Sequence, residues 1–177
     1  MISKIFNRPK HSWKWALLLF MLPIFNFATC KYSFNDVSIP PEIKTFRVNY
    51  LENKARYVNP QLSPQLTERL KFKIIGNTRL RQVNDDNADF DISGYISDYS
   101  VITTGATAGT ASTNRLVVGF HLIFKNNQDN KKSFETDVSS NFDFAATQSL
   151  AQAESSLNSD IVKNTVDAIF NKIFSNW

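Results

Sequence analysis

Apolar and polar residues alternate most regularly in the second half of the chain, on either side of a polar segment at positions 126–130. The apolar positions of the first run are Leu116, Val118, Phe120, Leu122 and Phe124. Those of the second run are Phe134, Val138, Phe142 and Phe144. The residues expected on the opposite, polar face are His121, Glu135, Asp137 and Ser139. This pattern predicts two antiparallel strands with one buried face, joined by a hairpin turn.

A third strand is predicted upstream of this hairpin, and its pattern changes parity partway along. Phe90, Ile92, Gly94 and Ile96 share one face, whereas the next apolar residues are Tyr99 and Val101. A β-bulge near Ser97–Asp98 would explain the shift, because a bulge inserts one extra residue into a strand.

Two helices are predicted from apolar spacing near four residues. Leu62, Leu66, Leu70 and Ile74 define the first, with an N-cap at Ser63, a first-turn proline at Pro64 and an end at Gly76–Asn77. The second is expected to begin between Gln148 and Ser159 and to end at Trp177. Its broad apolar stripe needs a sheet to cover.

Two further extended segments precede the strong strands, at residues 43–50 and, more briefly, at residues 78–83. With the brief segment at 78–83 left out of the count, the order is β-α-β-β-β-α. We expect an α+β fold, a two-layer sandwich in which two helices cover one face of a four-stranded, mostly antiparallel sheet.

The first thirty residues have the layout of an export signal. A basic region from Lys4 to Lys14 precedes an apolar run at 15–25, which is too short for a comfortable membrane span. Phe27-Ala28-Thr29-Cys30 then resembles a bacterial lipobox, in which the cysteine is acylated with chains such as palmitate. An ordinary signal peptide with an incidental cysteine, or an uncleaved anchor, is the alternative. We expect a signal peptide at 1–29, a lipidated linker at 30–41 and one domain at 42–177.

The charge distribution removes the case for nucleic-acid binding. The formal net charge is +4, but four of the 20 basic residues lie in residues 1–29, which contain no acidic residue. From Cys30 onward, 16 basic residues therefore face 16 acidic ones. A domain without excess positive charge lacks the electrostatic footprint of a nucleic-acid-binding protein.

The sequence offers little catalytic or metal-binding chemistry. His121 is the one histidine after the leader, with no acid partner evident from the sequence. The aspartates at 85, 86, 89 and 91 fail the EF-hand pattern, because positions six and twelve are Phe90 and Ile96. Gly105 and Gly109 lack the lysine of a phosphate-binding loop. We expect no enzyme activity, metal or cofactor, and we interpret the aspartates as a solvated turn.

Thr103 to Thr113 is a stretch of small, uncharged residues between two strong strands. It is either a flexible hairpin loop without a specific role or a loop that becomes ordered against a partner, since small residues permit close backbone approach. In the second interpretation, the contact residues would be Gly105, Thr107, Gly109 and Thr110.

Several segments together resemble the LptE family of lipopolysaccharide-assembly lipoproteins, particularly its Bacteroidota-type branch. The stretches that carry the resemblance are Cys30-x-Tyr-Ser-Phe34, Ser38-Ile-Pro-Pro41, Lys44-Thr-Phe46, Asn59-Pro60, Leu66-Thr-Glu-Arg-Leu70, residues 88–99, Ile169-Phe-Asn171 and Asn176-Trp177. The resemblance implies two helices on a four-stranded sheet and a site on the periplasmic face of the outer membrane of a Gram-negative cell. It also implies that the protein plugs an LptD-type β-barrel and takes part in envelope biogenesis by lipopolysaccharide transport.

On this hypothesis, the polar sheet face and the 103–113 loop would contact the barrel lumen, which is polar in large barrels. The candidate cations for lipopolysaccharide phosphates are Arg79, Arg81, Arg115, Lys131 and Lys132. Ordinary solvated charge is the alternative for each. A different class of function is a periplasm-facing lipid-binding or transporter-auxiliary lipoprotein, which would need an internal apolar pocket.

Overall fold

The computed structural model describes residues 39–104 and 113–175, and these form an α+β fold with two helices and a six-stranded mixed sheet. The strands are β1 (Thr45–Val48), β2 (Glu52–Asn53), β3 (Arg81–Gln82), β4 (Phe90–Thr104), β5 (Thr113–Asn126) and β6 (Phe134–Ala145). The helices are α1 (Leu62–Asn77) and α2 (Leu150–Phe174), with a short 3-10 helix at Asn130–Lys132.

The sheet is built from an antiparallel part and a parallel part. Its order is β3-β1-β4-β5-β6, and β2 pairs with β4 beyond the end of β1. The pairs β4–β5 and β5–β6 are antiparallel, whereas β1 pairs in parallel with both β3 and β4, and β2 pairs in parallel with β4. The turn between β5 and β6 marks one end of the sheet, called here the turn end. Thr104 and Thr113 mark the other, called the loop end.

The predicted α+β class with two helices is confirmed, but the predicted four-stranded, mostly antiparallel sheet is matched only in part, because the sheet has six strands and β1, β2 and β3 pair in parallel. The antiparallel strands β4, β5 and β6 were predicted because each is long enough to show its alternation. The parallel strands have only two to four residues. Their pairing depends on distant segments, which a local pattern does not reveal.

The predicted β-bulge is confirmed. The register between β4 and β5 shifts between Ile96 and Asp98, so Ser97 is the extra residue. Gly119 lies opposite Asp98, where an added Cβ would be 3.0 Å from the Cβ of Asp98. At Gly94 an added Cβ would lie 2.3 Å from the backbone oxygen of His121 and 2.7 Å from the Phe120 ring. Both glycines permit close packing of β4 on β5.

Helix α1 begins without the serine cap expected from the sequence. Its N-cap position is Gln61, which makes no side-chain cap bond. The side chain of Asn59 accepts a hydrogen bond from the Gln61 backbone N–H at 3.0 Å instead. Ser63 is buried inside the first turn, and its Oγ has no hydrogen-bond partner in the part of the chain described. The predicted end at Gly76–Asn77 is confirmed.

Helix α2 begins at the loop end and runs in the same direction as α1. Ser149 and Gln152 form a reciprocal capping box at its start. Two side-chain contacts link the helices. Asn158 Nδ2 donates a hydrogen bond to Gln65 Oε1 at 2.9 Å, and Lys73 Nζ forms an ion pair with Asp167 Oδ1 at 2.8 Å. The helix ends at Phe174 rather than at Trp177, which lies outside the described residues. Neither of the helices in the described ranges is apolar enough over sufficient length to cross a bilayer.

One hydrophobic core lies between the helices and one face of the sheet. The helices contribute Leu62, Leu66, Leu70, Ile74, Ile161, Val166, Ile169 and Ile173. The sheet contributes Phe46, Phe90, Ile92, Ile96, Leu116, Val118, Phe120, Leu122, Phe124, Phe142 and Phe144. The opposite face, called here the outer sheet face, carries the polar residues of each strand, as the alternation predicted.

The interpretation of the four aspartates as a solvated turn is right for Asp85 and Asp86, which lie in an exposed turn, and wrong for Asp89 and Asp91, which are half-buried and hydrogen-bonded to β1. Asp89 Oδ2 accepts hydrogen bonds from the backbone N–H groups of Lys44 and Thr45 and from Thr45 Oγ1, each at 2.9 Å. Asp89 Oδ1 accepts a fourth from Gln128 Nε2 at 2.6 Å. Burial opposes ionisation, but these bonds outweigh it and lower the pKa of Asp89 to about 2. The carboxylate thereby joins β1, β4 and the turn after β5.

Candidate functional site

The outer sheet face carries its charged residues as cross-strand pairs. Because side chains alternate between the two faces, the outward positions of neighbouring strands meet side by side. Most of these side chains are partly exposed, and each pair described below joins a basic group to an acidic one. The face is therefore polar but contains few uncompensated charges among the described residues.

His121 occupies the centre of this face and has acid partners that the sequence did not reveal. Its Nδ1 lies 2.7 Å from Asp137 Oδ1, and its Nε2 lies 3.7 Å from Glu135 Oε2. The Tyr95 ring lies 5.0 Å from the imidazole, and Lys54 Nζ lies 4.6 Å from the Tyr95 ring on β4. The placement of His121 with Asp137 and Glu135 on the polar face is confirmed. The sequence had suggested no acid partner for His121. The β5–β6 register supplies one, because it sets His121 opposite Asp137.

A second pair lies toward the turn end of the same face. Arg47 on β1 binds Asp91 on β4 through Nε at 3.2 Å and Nη2 at 3.0 Å, and its Nη1 also contacts Asp86. Asn49 Nδ2 donates to Asp91 Oδ1 at 2.7 Å. The hydrogen bonds that Arg47 donates to Asp91 and, second, to Asp86 raise the pKa of its guanidinium. Sequence reasoning missed Arg47, although its position between buried Phe46 and Val48 does place it outward.

Arg115 and Asp143 form the pair nearest the loop end. The contact is bidentate, with Arg115 Nε 2.6 Å from Asp143 Oδ1 and Nη2 3.0 Å from Oδ2. The hydrogen bond raises the pKa of Arg115 and lowers that of Asp143. A guanidinium already held by a carboxylate fork must release it before it can bind a phosphate in the same way.

The structure does not bring the five candidate cations together. All but Arg115 lie at the turn end. Arg81 is in β3 and Arg79 precedes it, whereas Lys131 and Lys132 belong to the 3-10 helix that follows β5. Arg79 also donates to the backbone oxygen of Ile39. Arg115 lies near the opposite end of β5, about 35 Å away at the usual rise per strand residue. One phosphate cluster containing all five is therefore ruled out by geometry.

The remaining candidates lie outside the described residues. Gly105, Thr107, Gly109 and Thr110 fall in the gap at 105–112, and Cys30 precedes residue 39. At the edge of the gap, Thr104 Oγ1 donates to the Thr113 carbonyl at 3.0 Å. In the described ranges, no group of three or more histidine, cysteine, aspartate or glutamate side chains is arranged to hold a metal ion.

Comparison with known proteins gives a family and a fold. The family model LptE, described as lipopolysaccharide-assembly, matches residues 43–173. The comparison with curated proteins gives no match.

Among the solved structures similar to this chain are three lipoproteins. A minor lipoprotein from Acinetobacter baumannii is 16% identical with a TM-score of 0.52, covering 75% of this chain and 94% of that one. The rare lipoprotein B from Shewanella oneidensis is 12% identical with a TM-score of 0.47, covering 73% and 94%. An uncharacterized lipoprotein B from Nitrosomonas europaea is 17% identical with a TM-score of 0.48, covering 75% and 84%. Of these three, the Acinetobacter protein has a TM-score above 0.5, and it supports the fold.

The family match spans both helices and every strand from β1 to β6, so it concerns the whole described domain and not one motif. The chain therefore belongs to the LptE family, a non-enzymatic family whose role is lipopolysaccharide assembly.

Proposed function

We propose that this protein is an outer-membrane lipoprotein that plugs an LptD-type β-barrel and assists it in inserting lipopolysaccharide into the outer membrane. Residues 1–29 are removed as a signal peptide, and Cys30 receives the acyl chains that hold the protein on the periplasmic face. Residues 30–41 form the tether, and residues 42–177 form the domain that occupies the barrel.

The pairing of charged side chains on the outer sheet face is the observation that supports this proposal. The interior of a large membrane barrel is polar, so a plug needs a polar surface with few unpaired charges. Here the basic groups Arg47, His121 and Arg115 each lie against an aspartate on a neighbouring strand. Such a face can lie against a polar wall without leaving a buried charge uncompensated.

We propose that the phosphates of lipopolysaccharide bind at the turn end. Arg81 and Lys131 have exposed side chains there, whereas the guanidinium of Arg115 is held by Asp143. Phosphate contacts by Arg79, Arg81, Lys131 and Lys132 would then be made in two groups, one beside β3 and one beside the turn after β5.

The alternative, a carrier of free lipid, needs apolar surface that a lipid can reach. In the described domain the core side chains of both helices pack directly on the sheet, and residues such as Leu66, Phe120 and Ile169 are completely buried. A lipid would have to displace one of the helices to reach them. The closed core therefore favours the plug.

Site-specific photo-crosslinking in intact cells tests the proposal. A photoreactive residue at Val117 or Asn141, both on the outer sheet face, should crosslink to a large β-barrel protein. The same residue at Asp160, exposed on α2, is the matched control and should crosslink to it less. Equal crosslinking at all three positions, or none to any barrel, would contradict the assignment of the outer sheet face as the contact surface.

The 103–113 loop is proposed as a second contact with the barrel. Replacing residues 105–110 with a short turn should reduce recovery of the complex while leaving the melting temperature of the isolated protein nearly unchanged. Undiminished recovery of the complex would remove the loop from the proposal.

A further inference from the structure

A polar groove lies at the loop end, between the segment that precedes α1 and the first turns of α2. Its volume is about 410 Å³, within the roughly 300–1,000 Å³ of small-ligand pockets. Tyr57, Asn59, Pro60 and Gln61 form one wall, and Glu154 and Asn158 belong to the other. None of the residues that line the groove belongs to the outer sheet face, so the proposed barrel contact does not account for this groove.

Tyr57 is a rigid aromatic surface in this groove. Its ring stacks on Tyr99 with centroids 5.6 Å apart and planes inclined by 20°, and its hydroxyl donates to Glu154 Oε2 at 3.3 Å. The side chain nevertheless remains 44% exposed. An aromatic ring that is fixed at both its face and its hydroxyl loses little entropy when a ligand packs on it.

Glu154 is the carboxylate around which the groove is organised. Its Oε1 accepts hydrogen bonds from Tyr99 Oη at 2.8 Å and from Asn59 Nδ2 at 3.2 Å, in addition to the bond from Tyr57 to Oε2. Burial and the nearby carboxylate raise the pKa of Tyr99, and the charge of Glu154 raises that of Tyr57, so both hydroxyls stay protonated donors. A carboxylate has about four acceptor sites, which leaves room for one more donor.

The amide side chains along the groove are also held in place. Asn59 Oδ1 accepts from the Gln61 backbone N–H at 3.0 Å, while Asn158 Nδ2 donates to Gln65 Oε1 at 2.9 Å. The lining residues include one carboxylate and no lysine or arginine. A phosphate would therefore be repelled, and an acyl chain would have to desolvate the amides and the carboxylate without replacing their hydrogen bonds.

We propose that this groove binds a neutral sugar ring, with its apolar C–H face on Tyr57 and its hydroxyls hydrogen-bonded to Glu154 and the neighbouring amides. A sugar has both features that the groove requires, an apolar face and closely spaced hydroxyls that donate and accept. The inference deepens the role in lipopolysaccharide assembly, because the glycan of a glycolipid supplies such rings. It does not depend on the barrel partner.

The test is saturation-transfer NMR and calorimetry on the full acylated protein in a detergent without sugar headgroups, with maltotriose as the probe. Tyr57→Ala should weaken binding about tenfold, the loss expected for an aromatic stacking contact. Glu154→Gln should also weaken it, because the amide replaces one acceptor oxygen with a donor. Tyr50→Ala is the matched control, since Tyr50 is exposed but lies outside the groove lining, and it should bind like the parent.

Melting temperatures identify variants that lose binding by unfolding, and Tyr57→Phe, which keeps the ring, covers the case in which Tyr57→Ala does not fold. Tyr57→Phe should retain most of the affinity. Absence of transfer to maltotriose in the parent protein overturns the proposal. Choline serves as a second probe. If the protein binds choline but not maltotriose, the proposal is overturned in favour of a cation site. Because no barrel is present in the sample, failure here is distinct from failure of the plug assignment.

Discussion

Asp89 holds separate parts of the fold together through the hydrogen bonds that its carboxylate accepts. The substitution Asp89→Asn keeps the size of the side chain but replaces one acceptor oxygen with an NH₂ group. The four donors that surround the carboxylate come from Lys44, Thr45 and Gln128. In either orientation of the amide, at least one of these donors faces another donor. The link between β1, β4 and the turn after β5 is then weakened.

The lowered pKa sets the size and the pH dependence of the effect. A fall from the ordinary value of 3.8 to about 2 corresponds to an upper limit of about 2.5 kcal/mol. Solvent screening at this partly exposed site reduces the expected contribution to about 1–2 kcal/mol. Because the folded-state pKa is depressed, the contribution is fully present above about pH 4 and is lost as the pH falls toward 2.

Urea unfolding of the purified protein at pH 7, 4, 3 and 2 measures both quantities. Asp89→Asn should lower the free energy of unfolding by about 1–2 kcal/mol at pH 7, and the difference from the parent should shrink below pH 4. Asp160→Asn, at an exposed position of α2, is the control and should change the free energy by less than about 0.5 kcal/mol. A difference between Asp89→Asn and the parent that stays constant from pH 7 to pH 2 would show that the ionised carboxylate does not stabilise the fold.

Substitutions at Gly94, Ser149 and Cys30 should each have a measurable effect. Gly94→Ala should lower the free energy of unfolding by about 2–4 kcal/mol in urea titrations, because its Cβ would lie 2.3 Å from the His121 backbone oxygen; a loss below about 1 kcal/mol would show that β4 shifts easily. Ser149→Ala removes half of the capping box and should cost about 1 kcal/mol in the same titration, whereas an unchanged midpoint would show that α2 starts independently of the cap. Cys30→Ser should abolish metabolic acyl labelling and release the protein from the membrane fraction, and continued labelling would contradict the lipid anchor.

The sequence predicts the parts of this fold in which long elements carry their own pattern. The alternation from Leu116 to Phe124 is long enough to fix which face of β5 is buried. The parity change after Ile96 locates the bulge for the same reason, since both halves of β4 show their own alternation. The spacing of Leu66, Leu70 and Ile74 identifies α1, because these side chains share one helix face.

What the sequence did not reveal depends on contacts between distant segments. The parallel strands β1, β2 and β3 are too short for a pattern, and their pairing with β4 arises only when the domain is assembled. The partners of His121 and Arg115 follow from the register of β6 on β5, which the alternation leaves open by steps of two residues. The hydrogen-bond network around Glu154 joins residues separated by 55 to 97 positions, so no local sequence motif predicts it.

The proposed role as a barrel plug is tested by purifying the full-length protein from gently solubilised cell membranes and identifying the proteins that accompany it by mass spectrometry. We expect a large β-barrel protein to copurify with the parent protein. It should be lost when one partner of a charged pair on the outer sheet face is reversed in charge, as in Asp143→Arg. Recovery of the folded protein from the membrane fraction without any large β-barrel would show that the protein is not a barrel plug.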